Sequence, residues 1–183
     1  MTKTRGIVLH VVAGTLGSTV VGLIFYQARV FDLHNAAFQF VLIGAAIGFL
    51  LGCARYLSLR AFLIATVLAW AFCALVARSR TGELLLRDAV MVAGLAVGVY
   101  AAERLVAVAK TAGSVAKRSL IRIAAVAAGY LAAGMLLCVF WDEANMGAYA
   151  RIHARMGLLL AVGTVLGIEA GQWIARRVPK AAA

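Results

Sequence analysis

Glu169 is the side chain in this sequence best placed to do chemistry inside a hydrophobic segment. It stands in the run GTVLGIEAGQWIARR, about seven residues and so roughly 10 Å inside the charged end of an apolar stretch near 156–175. A carboxylate at that depth in lipid is costly, and it is held by a partner, protonated, or turned toward water. Gln172 and Arg176 follow at i+3 and i+7 on the same side of a helix, with Trp173 beside them. Glu169, Gln172 and Arg176 therefore trace a polar track from inside the segment to its charged end. Such a track suits a proton or cation relay. Its structural counterpart is a glutamate satisfied by Gln172, by a snorkelling Arg176, or by a neighbouring helix, and a third reading is a contact to a partner subunit.

The other titratable candidates say less. Glu103 falls near the end of its apolar run, where it pairs with a basic residue or reaches water. His10 lies about one turn into the first run and reads as a hydrogen-bonded interface residue. His34 and His153 read as loop residues beside Asp32, Asp142 and Glu143, in a spacing that matches no zinc pattern, so no metal site is expected. No cofactor is expected either: haem ligation calls for His pairs within spans, and only His10 lies in one. Cys53, Cys73 and Cys138 fall within apolar runs without a CxxC and read as small buried apolar residues. No GxSxG, intramembrane Ser/His pair or aspartate cluster is present, so a lipid-modifying enzyme is the weakest functional reading.

The elements that position these residues are set by hydropathy. Apolar residues fill 64% of 183 positions and charged ones only 14%, where soluble domains average about 25%. The mean hydropathy is +0.97. Six spans are predicted, near 7–26, 37–54, 60–77, 89–108, 120–141 and 156–175, each long enough to cross or nearly cross about 30 Å of hydrocarbon. The expected fold is all-α: a polytopic six-helix bundle, one integral membrane domain over 1–183, built from three helical hairpins. The first span reads as uncleaved, because no small-residue cleavage site follows it.

Charge sets the expected orientation. Twelve of the eighteen basic residues (Lys3, Arg5, Arg55, Arg60, Arg104, Lys110, Lys117, Arg118, Arg122, Arg176, Arg177 and Lys180) gather on one side. The positive-inside rule makes that side cytoplasmic, with both termini inside. The arginines flank helices and form no continuous groove, so nucleic acid is not an expected partner. Within the stretch LVAVAKTAGSVAKRSL, Lys110, Lys117 and Arg118, followed by Arg122, suit an amphipathic segment on anionic headgroups or a docking site for a partner protein. Tyr26, Phe31, Phe38, Phe40 and Trp141 are expected at the outer interface, with Tyr56 and Trp173 at the inner one. Trp70 and Tyr100 are expected nearer mid-span, packed between helices or toward lipid.

Small residues recur at four-residue spacing: Gly44, Gly48 and Gly52; Gly94, Gly98 and Ala102; Gly163, Gly167 and Gly171. Such faces let helix backbones approach closely in lipid, where burial of apolar surface no longer drives association. Gly14, Ser18 and Gly22 in the first span and Ala125, Gly129 and Ala133 in the fifth repeat the pattern. At about 100° per residue, Glu169 lies about 200° around its helix from the centre of the glycine face. These faces serve packing within one bundle, between copies in a homo-oligomer, or against another membrane protein.

The expected function is that of a small inner-membrane transporter or a membrane-embedded transport subunit, in a bacterial setting suggested by Ala, Arg, Val and Gly content. The alternative is a non-transporting structural or assembly subunit of a larger membrane complex.

Overall fold

Four of the six helices open on a hydroxyl side chain. The hydroxyl oxygens of Thr2, Ser58, Thr81 and Ser114 accept the amides of Arg5, Ala61, Leu84 and Lys117, each three residues on. This satisfies one of the amides that a helix N-terminus leaves without a partner. The computed structural model describes residues 2–27, 36–76, 81–109, 114–141 and 146–177. They form α1 (Lys3–Gln27), α2 (Ala36–Tyr56), α3 (Leu59–Val76), α4 (Gly82–Val108), α5 (Val115–Trp141) and α6 (Met146–Arg177). All six are long and apolar enough to cross a membrane.

The helices outrun the predicted spans, most of all at the starts of α4, α5 and α6. Hydropathy marks the hydrocarbon-embedded part of a helix, whereas the helix continues through Glu83, Arg87, Arg151 and Arg155, which are exposed. His153 accordingly lies within α6 and not in a loop, its ring 5.7 Å from that of Tyr130. Residues 115–120, expected in a separate amphipathic segment, form the first turns of α5. His34, Asp32, Asp142, Glu143 and Lys110 lie outside the described residues.

Consecutive helices pack against one another, and α6 closes on α1. The tightest pairs are α1–α2, α1–α6, α4–α5 and α5–α6; α3 makes a thinner contact with α2 and α4. Neighbours run antiparallel. Gly6 meets Tyr56 and Gly22 meets Phe40 at opposite ends of α1–α2, while Gly94 meets Ala133 and Glu103 meets Arg122 along α4–α5. Helix α2 also touches α4 and α6, and its Ile47, Leu50, Leu51 and Cys53 fill the centre. Outward faces carry long apolar side chains, such as Val8, Val12, Leu16 and Val20 on α1, or Leu63, Val67 and Phe72 on α3. An apolar exterior on this scale belongs in lipid and not in water.

The glycine faces are used inside the bundle. A Cβ on Gly167 would strike the Ala13 carbonyl and come within 2.8 Å of Gly17 Cα, and one on Gly163 would lie 2.7 Å from Ser18 Cα. On α4, a Cβ at Gly98 would sit 2.5 Å from the Ala125 carbonyl. On α2, one at Gly48 would sit 2.5 Å from the His10 carbonyl, and one at Gly44 would collide with the Ser18 hydroxyl. Gly52 lies against Ile7 and Gly171 against Ala13. At Gly167, Gly163, Gly98 and Gly48 the opposing backbone occupies the space that a side chain would need, and at Gly44 and Gly171 the side chains of Ser18 and Ala13 do.

Polar groups in the spans are satisfied locally, as lipid requires. Thr15, Thr19, Thr66 and Ser119 donate to the carbonyl four residues back, and the Ser18 hydroxyl lies 2.9 Å from the carbonyls of both Thr15 and Phe40. Among the described residues, the Thr164 hydroxyl is the buried side-chain polar atom without a partner. Phe40, expected at the outer interface, is fully buried, because Gly22 leaves room on α1 for its ring. The side chains of Tyr26, Phe31, Phe38 and Trp141 lie outside the described set. Trp70 packs between helices, one of its two expected settings, its indole N–H donating to the Leu85 carbonyl at 3.1 Å.

Candidate functional site

The antiparallel order brings the start of α1, the end of α2, the end of α4, the start of α5 and the end of α6 to one end of the bundle. Roughly two turns inside that end, Arg122 of α5 reaches both neighbouring helices at once. Its Nε donates to Glu103 Oε1 at 2.6 Å and its Nη2 to Glu103 Oε2 at 3.4 Å. Its Nη1 donates to Glu169 Oε1 at 2.9 Å. One guanidinium thus serves a carboxylate from α4 and another from α6.

All three side chains are mostly withdrawn from solvent: Arg122 is 9% exposed, Glu103 15% and Glu169 22%. A small, partly open cavity lies between them, lined also by His10 of α1, Leu51 of α2, and Val165 and Ile168 of α6. It leaves about 10 Å³ for the centre of a water molecule, at the lower limit for holding one. The partial burial of the three side chains strengthens the charge interactions among them.

Beside the triad stands a second polar pair. His10 Nδ1 donates to the Gly6 carbonyl at 2.7 Å, since a carbonyl only accepts. Nε2 of the same ring lies 3.3 Å from Gln172 Nε2, joining α1 to α6. The Tyr56 ring closes over His10 edge-on, with centroids 5.6 Å apart.

The structure separates what the sequence placed on one track. Glu169 turns away from the glycine face, toward α5, and finds Arg122 there. Gln172, about 60° away around the helix, meets His10 and is buried. Arg176 is exposed at the helix end and joins neither. The ladder breaks because α6 sits between α1 and α5, so a three-residue step sends successive polar groups to different helices.

Arg122 is the larger correction. Expected among the headgroup contacts with Lys110, Lys117 and Arg118, it is buried and ion-paired. Lys117 does remain exposed at the start of α5, and Arg118 is half-buried. A signal for Arg122 was present: an arginine inside an apolar run, with a glutamate at matching depth in each of two other spans. Glu103, expected to pair with a basic residue or reach water, takes that partner. Arg104, one residue on, turns outward instead, its Nε donating to the Tyr100 hydroxyl at 2.9 Å.

Compared with protein-family models, with curated proteins and with solved structures, the chain gives no significant match in any of the three. The roles of these side chains therefore rest on their geometry.

The rim of this end is strongly basic. Lys3, Arg5, Arg55, Arg60, Arg104, Lys117, Arg176 and Arg177 are exposed around it. Arg177 lies 3.9 Å from the centroid of Trp173, and Arg104 lies 4.9 Å from that of Tyr100. Each guanidinium is held against an aromatic face at the level where a membrane interface would lie. The described part of the opposite end carries Arg87, Arg151 and Arg155 with Glu83 and Asp88.

Proposed function

We propose that this protein is a small transporter, or the membrane-embedded part of a transport machine, whose working site is Glu103–Arg122–Glu169. The observation that carries the reading is a guanidinium inside the bundle, shared between carboxylates of two helices beside a cavity. An ionisable group within a span is expensive and tends to mark an ion or proton path. The small-residue faces are spent on packing within the bundle, which leaves the charged cluster as the feature that packing does not require.

The proposal includes topology and place. The basic rim supports an orientation with both termini on the cytoplasmic side, six spans in three hairpins, in a bacterial inner membrane. Lys117 and Arg118, with Lys110, then meet anionic headgroups. No cofactor enters this reading.

Proton flux tests it. Purified protein is reconstituted in liposomes holding a pH-sensitive dye, and a potassium diffusion potential is imposed. The wild type should admit protons well above empty vesicles, and Glu169→Gln should fall to the empty-vesicle rate with its helical content intact. Wild-type flux no faster than that of empty vesicles, or full flux in Glu169→Gln, would refute it.

The second reading is a non-transporting structural or assembly subunit of a larger membrane complex. It is favoured by the same Arg122 seen as a staple that ties α4 to α6. Native mass spectrometry from gently solubilised membranes tests it beside the flux assay. A stoichiometric heteromer without proton flux would support this reading, and a chain found only as a monomer or homo-oligomer would count against it.

A further inference from the structure

We infer that the end of α6 is a binding site for one anionic phospholipid. Its phosphate is held by the Arg177 guanidinium and the Trp173 indole N–H, and an acyl chain lies along Ala170 and Leu166. The inference concerns the outer face of α6 alone and stands whether or not the protein transports anything.

One helix assembles the site. Leu166, Ala170 and Trp173 precede Arg177 at i−11, i−7 and i−4, all within about 40° of it around the helix. All four are exposed. Their face is turned away from the bundle: Ile168, at i−9 and so about 180° from Arg177, is buried in the core. Gly163 and Gly167 meet α1, and Glu169 meets α5, on the two flanks. From Leu166 to Arg177 the stripe rises about 16 Å, close to the depth of one leaflet in a hydrocarbon core of about 30 Å. An apolar track that ends in a cation at the interface suits a lipid better than a soluble anion.

The donors at the head of the track are free. The Arg177 guanidinium lies 3.9 Å from the Trp173 ring centroid. An indole is a donor only, so it takes up none of the guanidinium N–H groups as a lone-pair acceptor would. Among the described residues neither Arg177 nor the Trp173 N–H has a hydrogen-bond acceptor. Arg104 on α4 differs, because its Nε and Nη2 both donate to the Tyr100 hydroxyl. No carboxylate competes for Arg177: at this end the described acids are Glu103 and Glu169, and Arg122 holds both. A guanidinium fork with open N–H groups matches phosphate oxygens, and exposed Arg176 and Lys117 add positive potential at the same end.

Native mass spectrometry of the full chain in detergent, titrated with phosphatidylglycerol or with phosphatidylcholine of the same acyl chains, reads the site. The wild type should retain one phosphatidylglycerol more tightly than any phosphatidylcholine. Arg177→Gln should weaken that retention by about fivefold or more, the effect of one cation at a membrane surface. Trp173→Leu should weaken it as well, and Trp173→Phe, which keeps a ring but no N–H, should fall between. Arg60→Gln removes another exposed charge from the same end and should leave retention unchanged. Helical content equal to that of the wild type shows each variant folded. Equal retention of the two lipids, undiminished retention in Arg177→Gln, or an equal loss in Arg60→Gln overturns the inference. So does release of the lipid by inorganic phosphate or polyglutamate at constant ionic strength, which would make this a general anion site or an acidic-protein surface.

Discussion

Arg122 on α5 and Glu169 on α6, 47 residues apart in sequence, meet at 2.9 Å within the bundle. Glu103 closes the other side of the same guanidinium at 2.6 Å. Each partner is tolerable in lipid because the other two are present. Withdrawing the cation leaves two carboxylates facing apolar walls, which is worse than having no charges there.

This asymmetry gives a stability prediction. Arg122→Leu should destabilise the bundle by about 3–5 kcal/mol, while the triple change Arg122→Leu, Glu103→Leu and Glu169→Leu should recover most of that loss. Arg122→Lys should fall between, since an ammonium lacks the planar fork that serves two carboxylates together. Unfolding midpoints in detergent decide the matter. A triple variant as unstable as Arg122→Leu would mean that packing around the arginine stem, and not its charge, is what counts.

Two glycines should respond in opposite ways. Gly167→Leu drives a side chain into the α1 backbone at Ala13 and Gly17, which cannot move aside as a flexible side-chain tip would. A loss of about 1–3 kcal/mol, or failure to fold, is expected. Gly82 meets nothing within 4 Å at the start of α4. Gly82→Ala should be neutral or stabilising by up to about 1 kcal/mol. Equal midpoints for the two variants would contradict the close α1–α6 approach.

Membrane orientation is open to a direct check. Cys53, Cys73 and Cys138 are buried, so the folded chain offers a quiet background for thiol labelling. In intact cells with the outer membrane permeabilised, a membrane-impermeant maleimide should label Gly82→Cys. Lys117→Cys should react only after the inner membrane is opened. The reverse pattern would invert the proposed topology.

Much of the architecture was legible in the sequence because lipid imposes a local rule. A span must be long, apolar and satisfied within its own backbone, and each of the six announces itself without reference to the others. Helix ends were less legible, as α6 shows: its first turns carry Arg151 and Arg155, which hydropathy counts as loop although the backbone stays helical. Phe40 was misplaced for a related reason. Its place among aromatics near a span end is local to the sequence, while its burial depends on the space left by Gly22 on another helix.

The sequence by itself determined the six spans, the one-sided distribution of basic residues, the small-residue spacing, and the fact that Glu169 looks away from the glycine face of its own helix. Only the tertiary structure decided what Glu169 looks at. A helical wheel gives a direction from one axis, but not which helix stands in that direction or at what height. That depended on α6 lodging between α1 and α5, which sent Gln172 to His10, left Arg176 at the rim, and set Arg122 between two carboxylates. Pairing energy between charges depends on distance and surroundings, and both are properties of the assembled bundle.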